Sequence, residues 1–396
     1  MTTDREKTTS LDDMFGDFAE LVLENVTIEL DELRLALRPM VQQMAKAAAR
    51  PALEIPKSLI PASFKPPLGK YTRGIQEITL GATKKEGGSR GNTVTIGGHT
   101  APAWDLFQAP PKHPPVIAAD VFDMPISLAH AVKMHYKEVL DDPAAWAKLV
   151  VDKFGADVVT IHLISTDRRL GDTSPNDAAK TIEEVLQAVK VPILIGSAGD
   201  PEKDGPVLAK AAEVCEGEKT LLCSATVDVY EDIALAAKKH DQVVLSWTSI
   251  DINQQKELNR RLFEWLTPEQ IVIDPTTAAL GYGLEYAFTI MQRMRLAGLL
   301  GDEELCFPIS SGTTNAWAAR EAWLKNPELG PRELRGPIWE SVTALALLLA
   351  GNDLFMMMHP AAIKTVHDLV GWLKEKRIVK PDEYPDWTTL TIPEGV

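Results

Sequence analysis

Cysteine is scarce: Cys215, Cys223 and Cys306 are the three in 396 residues, and no two form a C-x-x-C pair. That argues against a disulfide framework, and a four-cysteine zinc or iron–sulfur site cannot be built from this chain alone. Positive charge is short as well. Forty-one Lys and Arg against 56 Asp and Glu leave a formal net charge of −15. A nucleic-acid binder needs a basic surface to displace counterions from phosphates, so nucleic acid is not an expected partner. The acidic balance favours solubility without naming a partner. Long apolar runs are also missing: none reaches the length of a membrane span, and Met1–Ser10 is charged and polar where a secretory signal would be apolar. The expectation is a cytoplasmic protein with no membrane partner.

The apolar fraction of 45% and charged fraction of 24% are those of a globular protein, and the length allows one large α/β domain behind an N-terminal extension. Apolar residues at Leu11, Met14, Phe15, Phe18, Leu21 and Val22 give helical spacing over Leu11–Leu23, weakened by Gly16. Val26, Ile28 and Leu30 alternate with polar residues, as do Leu33, Leu35 and Leu37, which predicts a hairpin about Asp31-Glu32. Met40–Arg50 reads as an Ala-rich helix. Five prolines between Pro51 and Pro67 make an arm or linker. Gly81–Gly98 is Gly-rich, with Thr93–Ile96 as a short strand. Residues 1–110 are thus expected to form the extension.

From Pro114 the pattern changes to short apolar runs separated by helical segments. The runs are Val116–Val121, Asp157–Ile164, Val191–Ile195, Thr220–Ala225, Gln242–Trp247, Gln270–Asp274, Leu305–Ile309 and Asp353–Met358. Each is short, mainly aliphatic or β-branched and buried-looking on both faces, as parallel strands covered by helices should be. Asp142-Pro143 and Ser174-Pro175 place a capping residue before a proline at the first helical position, and Asp177 completes a variant capping box with Ser174. Helices are predicted over Asn253–Leu266, Leu284–Leu300 and Ile338–Leu349, the last closed by Gly351. Roughly eight strand–helix repeats predict a (β/α)8 TIM barrel over 111–375, with 376–396 as a tail; an open doubly wound sheet is the main rival.

Barrel ligands gather at the C-terminal ends of the strands. Those positions hold Asp120, Asp123, His162, Ser165, Thr166, Ser197, Gly199, Ser224, Ser246, Asp274, Thr276, Thr277, Ser311, Gly312, Met358 and His359. Hydroxyls, small residues and backbone-rich turns dominate, with few lysines or arginines. Such a rim suits a neutral, amide-decorated ligand better than a phosphate, because its groups donate or accept without burying an unpaired charge. Strand-to-helix loops of any barrel also carry Ser, Thr, Asp and Gly as caps and turns, so each hydroxyl has a structural reading beside the binding one. His162 and His359 lack any metal-ligand spacing. Gly196–Gly199 and Ser310–Thr313 lack the lysine of a phosphate loop, and Met356–Met358 reads as core or as contact with an apolar cofactor face.

Two stretches carry a family resemblance: Gly87–Gly98 (GGSRGNTVTIGG) before the first barrel run, and the strand ends Asp274–Gly283 (DPTTAALGYG) and Phe307–Gly312 (FPISSG) in their order. The chain resembles the small, delta-type subunits of corrinoid/iron-sulfur proteins over about Glu20 to Leu373. The large subunit of that family carries a cysteine motif for a four-iron cluster and a corrinoid domain. Neither those cysteines nor a D-x-H-x-x-G cobalamin motif occurs here. The resemblance therefore implies a heterodimer in which this barrel covers a corrinoid, a cobalamin-type cofactor held mainly by the large subunit. It further implies that a methyltransferase loads the cobalt with a methyl group from a methyltetrahydrofolate-type donor, and that acetyl-CoA synthase, like the methyltransferase a transient partner, receives it in the reductive acetyl-CoA pathway. No iron–sulfur cluster, metal ligand or independent catalytic residue is expected in this chain.

Three other readings stand beside this one. A free-standing pterin-dependent barrel methyltransferase or synthase would converge Asp120, Asp274 and asparagines on a pterin, but asparagine is missing from the strand ends. A metal-dependent hydrolase or lyase would use Asp120, Asp123, His162 and His359. A purely structural subunit would contact no ligand.

Overall fold

The structure, a computed structural model, describes residues 69–103 and 111–375. The helices expected at Leu11–Leu23 and Met40–Arg50, the hairpin about Asp31-Glu32, the Pro51–Pro67 arm and the 376–396 tail lie outside the described residues.

Two strands, β1 (Glu77–Leu80) and β2 (Val94–Gly97), pair antiparallel with Ile78 opposite Ile96. Eight more follow: β3 (Val116–Phe122), β4 (Val158–His162), β5 (Ile193–Gly196), β6 (Leu221–Ala225), β7 (Val243–Trp247), β8 (Ile271–Asp274), β9 (Ser310–Gly312) and β10 (Leu354–Met357). All eight run parallel in the order β8-β7-β6-β5-β4-β3-β10-β9, and a parallel bridge between Ile273 and Ile309 joins the two ends of the row. The chain is α/β and its sheet is a (β/α)8 barrel, as the strand–helix alternation predicts. An open sheet would leave β8 and β9 as edges, and here they meet.

Strand parity sorts the core into two layers. Ile117, Ala119 and Val121 of β3 pack outward against the helices, whereas Val116 and Ala118 join Val158, Leu194, Leu221, Val243, Leu245, Val272 and Leu354 inside the barrel. Ile78, Leu80 and Ile96, all fully buried, belong to that inner cluster. The Gly-rich segment is therefore a plug rather than a lead-in strand. Each of its three aliphatic side chains contributes roughly 1.5–3 kcal/mol of burial. Its backbone is tied to the loops that enter the strands: Gly81 N–H donates to Lys219 O (2.9 Å), Gly91 N–H to Lys190 O (2.7 Å) and Gln76 N–H to Cys306 O (2.7 Å). The hairpin thus closes the end opposite the strand C-termini. Gly97, at φ +86°, has no room for a side chain, since a Cβ would lie 2.0 Å from the carbonyl of Gln76.

Charge is also buried at this closed end, and all of it has partners. The Arg90 guanidinium donates to Leu186 O (2.8 Å), Val189 O (2.9 Å) and Glu218 Oε2 (2.6 Å). Asp353 accepts from Arg295 and from Ile309 N–H (2.8 Å), and His99 Nε2 lies 2.8 Å from its other oxygen. Burial opposes ionisation of Asp353, but Arg295 and His99 outweigh it and hold the carboxyl down at about 2.

The helix-start signals act as expected. Asp142 accepts from Ala145 N–H (2.9 Å) and Ser174 from Asp177 N–H (3.1 Å), each ahead of a proline. Helices run over Ile252–Leu262, Leu284–Leu299 and Arg332–Ala350. The last begins a turn and a half before its predicted start, carries Pro337 near its beginning, and ends on Gly351 at φ +102°.

One strand lies elsewhere than its apolar run. Leu305–Ile309 leads into the barrel, and the paired residues are Ser310–Gly312, with Ser310 opposite Leu354. The Ser311 hydroxyl finds partners in the core, with Oγ 2.8 Å from Thr277 Oγ1 and 2.9 Å from Thr313 Oγ1.

Candidate functional site at the open end of the barrel

Parity carries Asp120, on β3 two residues beyond Ala118, into the barrel at its open end, and it brings His162, the last residue of β4, beside it. His162 Nε2 lies 3.1 Å from Asp120 Oδ1. The second oxygen of Asp120 accepts from the Thr314 hydroxyl. The imidazole stacks on Phe122 at 5.1 Å with planes 21° apart. Asp120 is 2% exposed and the His162 side chain 23% exposed, so the pair runs from the core to the opening.

Across the barrel, β7 and β8 place Trp247 in register with Asp274. Both follow inward-facing neighbours, Leu245 and Val272. Trp247 nonetheless remains 37% exposed, an indole standing at the mouth. Asp274 is enclosed, and burial pushes its carboxyl up to about 7 despite the bond from Thr276 N–H (2.8 Å). Thr276, at φ +74°, donates its hydroxyl to Thr248 O (2.7 Å), pinning the loop after β8 to the loop after β7.

The remaining charges of the rim are tied to one another. Asp123 accepts from Ser165 N–H (2.9 Å) and Ser165 Oγ (2.5 Å), and burial raises its pKa in spite of them. Arg168 forms a two-pronged pair with Asp200 (2.6 and 3.0 Å), and Arg169 folds back on Asp167 (2.7 Å). Asp204 accepts from Gly199 N–H (3.2 Å) and from Ser197, while burial drives it up to about 6. Between these groups, Leu170, Val227 and Tyr282 stand 58, 41 and 50% exposed in the strand-to-helix connections.

Several residues chosen from the sequence are not presented at the opening. Ser246 faces outward, because its neighbours Leu245 and Trp247 take the inner parity, and its hydroxyl donates to Asn259 Oδ1 (2.7 Å) on the covering helix. Thr166 spends its hydroxyl on Leu163 O (2.7 Å). Thr277 and Ser311 are consumed by each other, with Ser311 opposite the outward Phe355. Gly312 is in register with the inward Met356, while Ser224, half-buried, is the last residue but one of β6, between the buried Cys223 and Ala225. His359 packs between Trp317 (5.9 Å) and His135 (4.9 Å). Burial and the neighbouring His135 lower its pKa to about 3, so it stays neutral and structural. Met358 is held by its backbone: its N–H donates to Glu340 (2.5 Å) and its carbonyl accepts from Tyr136 (2.6 Å).

Asp120, Asp123, His162 and His359 do not converge, and among the described residues no three His, Cys, Asp or Glu side chains are placed to hold one metal ion. Three contributors escaped the sequence reading. Phe122 lies one residue past its apolar run and Trp247 ends its own; counting alternate residues from the strand centre would have turned Trp247 to the mouth. Thr314 gave no local signal, because it meets Asp120 only across the barrel.

Comparison with known proteins places these residues in context. The family model described as CO dehydrogenase/acetyl-CoA synthase delta subunit matches residues 77–326. An Archaeoglobus fulgidus protein named acetyl-CoA decarbonylase/synthase complex subunit delta is 54% identical over 366 residues, covering 88% of this chain and 81% of that one. A Methanothermobacter thermautotrophicus protein of the same name is 43% identical over 388 residues, 97% of each chain. Among solved structures, Xanthomonas albilineans dihydropteroate synthase with 4-aminobenzoic acid aligns over 67% of this chain and 95% of its own, with a TM-score of 0.46 at 14% identity.

Proposed function

This chain belongs to the CO dehydrogenase/acetyl-CoA synthase delta subunit family, and on that premise we propose that it is the barrel subunit of an acetyl-CoA decarbonylase/synthase complex whose open end covers a corrinoid held mainly by a larger partner subunit. The observation that carries the reading is the chemistry of the rim. Arg168 and Arg169 are paired with Asp200 and Asp167, an indole stands at the mouth, and hydroxyls and one imidazole stand beside them. A flat, uncharged ring edged with carboxamides suits that set, since an amide both donates and accepts. A phosphate suits it less, because Arg168 and Arg169 already meet carboxylates.

When bound, the corrinoid supplies the cobalt that carries the methyl group. The chain's own residues have the supporting tasks. Trp247 covers apolar ring surface and excludes water, the exposed Leu170, Val227 and Tyr282 extend that cover, and His162 offers a hydrogen bond to the ring's edge. Asp120, Asp123 and Asp274 hold the loops in register. The barrel is a lid and docking platform that yields in turn to a methyl-donating and a methyl-accepting partner, so it meets the corrinoid across a movable interface.

Co-expression with a candidate large subunit tests this, through co-purification, cobalt content and the visible spectrum. The expected result is a stable complex with corrinoid absorbance and a colourless lone chain. Absence of a complex, with a pterin or a stoichiometric metal on the lone barrel, would overturn the reading in favour of a self-sufficient enzyme.

A further inference from the structure

The His162–Asp120 pair is built with more care than a surface imidazole requires. Nε2 of His162 and Oδ1 of Asp120 are both sealed from solvent, and among the described residues neither has any partner except the other. The Thr314 hydroxyl occupies the second carboxylate oxygen. Oδ1 is the carboxylate oxygen still without a donor, and Nε2 is the atom that faces it. Stacking on Phe122 holds the plane of the ring, and turning the ring over would set a C–H rather than Nε2 against Asp120 Oδ1. The side chain still shows 23% of its surface although Nε2 shows essentially none, so what it presents lies on the opposite edge, towards Gly196. A Cβ at residue 196 would stand 2.9 Å from Nδ1, so the space beside that nitrogen exists because residue 196 has no side chain. Among the described residues nothing donates to Nδ1.

Resting on the lid reading above, we infer that Asp120 fixes His162 with its proton on Nε2, leaving the Nδ1 lone pair as an acceptor at the open end of the barrel for an N–H of a primary carboxamide on the edge of the bound corrin. The carboxylate sets the tautomer by the hydrogen bond it accepts, and the tautomer decides that this edge accepts rather than donates. His162 is a binding and positioning residue, and no bond to cobalt is involved.

The structural half is tested on the full chain alone. With isotope-labelled histidine, long-range proton–nitrogen correlation spectra distinguish the two neutral tautomers, and loss of one signal set in His162→Gln assigns His162 among the eight histidines. The expected result near neutral pH is the Nε2–H form; an Nδ1–H form overturns the inference. The binding half uses the complex with the large subunit and follows loss of corrinoid absorbance after gel filtration. His162→Ala should release corrinoid about tenfold faster, the effect of one lost hydrogen bond. His162→Asn, whose Oδ1 stands near the place of Nδ1, should retain it better than His162→Gln, whose amide reaches instead for Asp120. Thermal unfolding of each variant separates release from misfolding. A wild-type complex devoid of corrinoid would sink the lid reading itself. A loaded wild-type complex that His162→Ala leaves unchanged would overturn only this inference.

Discussion

Two buried carboxylates, Asp274 and Asp353, show how neighbours decide what an aspartate does. Asp353 has a guanidinium and an imidazole beside it and lies at about 2; Asp274 has a single backbone N–H and lies at about 7. The pH consequences are opposite. For Asp353 the folded value is below the ordinary 3.8, so its stabilisation is full above about pH 4 and disappears as pH falls through about 2. For Asp274 the folded value is above 3.8, so stability is greatest below about pH 4 and is lost as pH rises through about 7. Asp274→Asn keeps an acceptor for Thr276 N–H and removes the titration. Its urea midpoint should therefore fall less than wild type between about pH 5 and pH 8, by as much as roughly 2 kcal/mol. Glu340, buried and also raised to about 7, retains its own share of the decline. Asp353→Asn should behave differently, costing about 3–5 kcal/mol at neutral pH because Arg295 is left buried without its counter-charge.

Among the elements, the β1–β2 hairpin does work that its short, Gly-rich sequence conceals. It places Ile78, Leu80 and Ile96 in the barrel interior, while Arg90 ties it to the loops that feed β5 and β6. Ile96→Ala opens a cavity in the inner core and should cost about 2–5 kcal/mol in chemical denaturation. Because this plug lies at the end opposite the strand C-termini, corrinoid retention in the complex should remain at the wild-type level. β9 illustrates the converse. Ser310, Ser311 and Gly312 have low strand propensity, yet they form a barrel strand because their backbone pairs with β10 and the hydroxyls of Thr277 and Thr313 meet that of Ser311.

At the scale of the whole molecule, the barrel separates stability from binding by placing them at opposite ends. The closed end buries charge in paired networks, whereas the open end keeps an indole and several aliphatic side chains in solvent. Trp247→Ala should accordingly reverse the pattern of Ile96→Ala, with a smaller loss of stability and corrinoid released about tenfold faster from the complex. The two variants assayed together, by urea midpoint and by visible absorbance after gel filtration, check this division. Equal effects of both on both measurements would refute it.

Hydrophobic periodicity and capping chemistry are local, so the barrel class, seven of its eight strands and the helix starts at Asp142 and Ser174 were determined by the sequence itself. The seven strands are short, mainly aliphatic runs buried on both faces, with their polar residues gathered towards the C-terminal ends. The tertiary structure decided what depends on contacts between distant residues. It moved β9 onto serines, turned the Gly-rich segment into a plug, and spent the hydroxyls of Ser246, Thr166, Thr277 and Ser311 on internal bonds. It also joined Thr314 to Asp120 across 194 positions of the chain. A strand end marks where a site lies; which side chains face it depends on parity and on hydrogen-bond partners that no neighbouring residue announces.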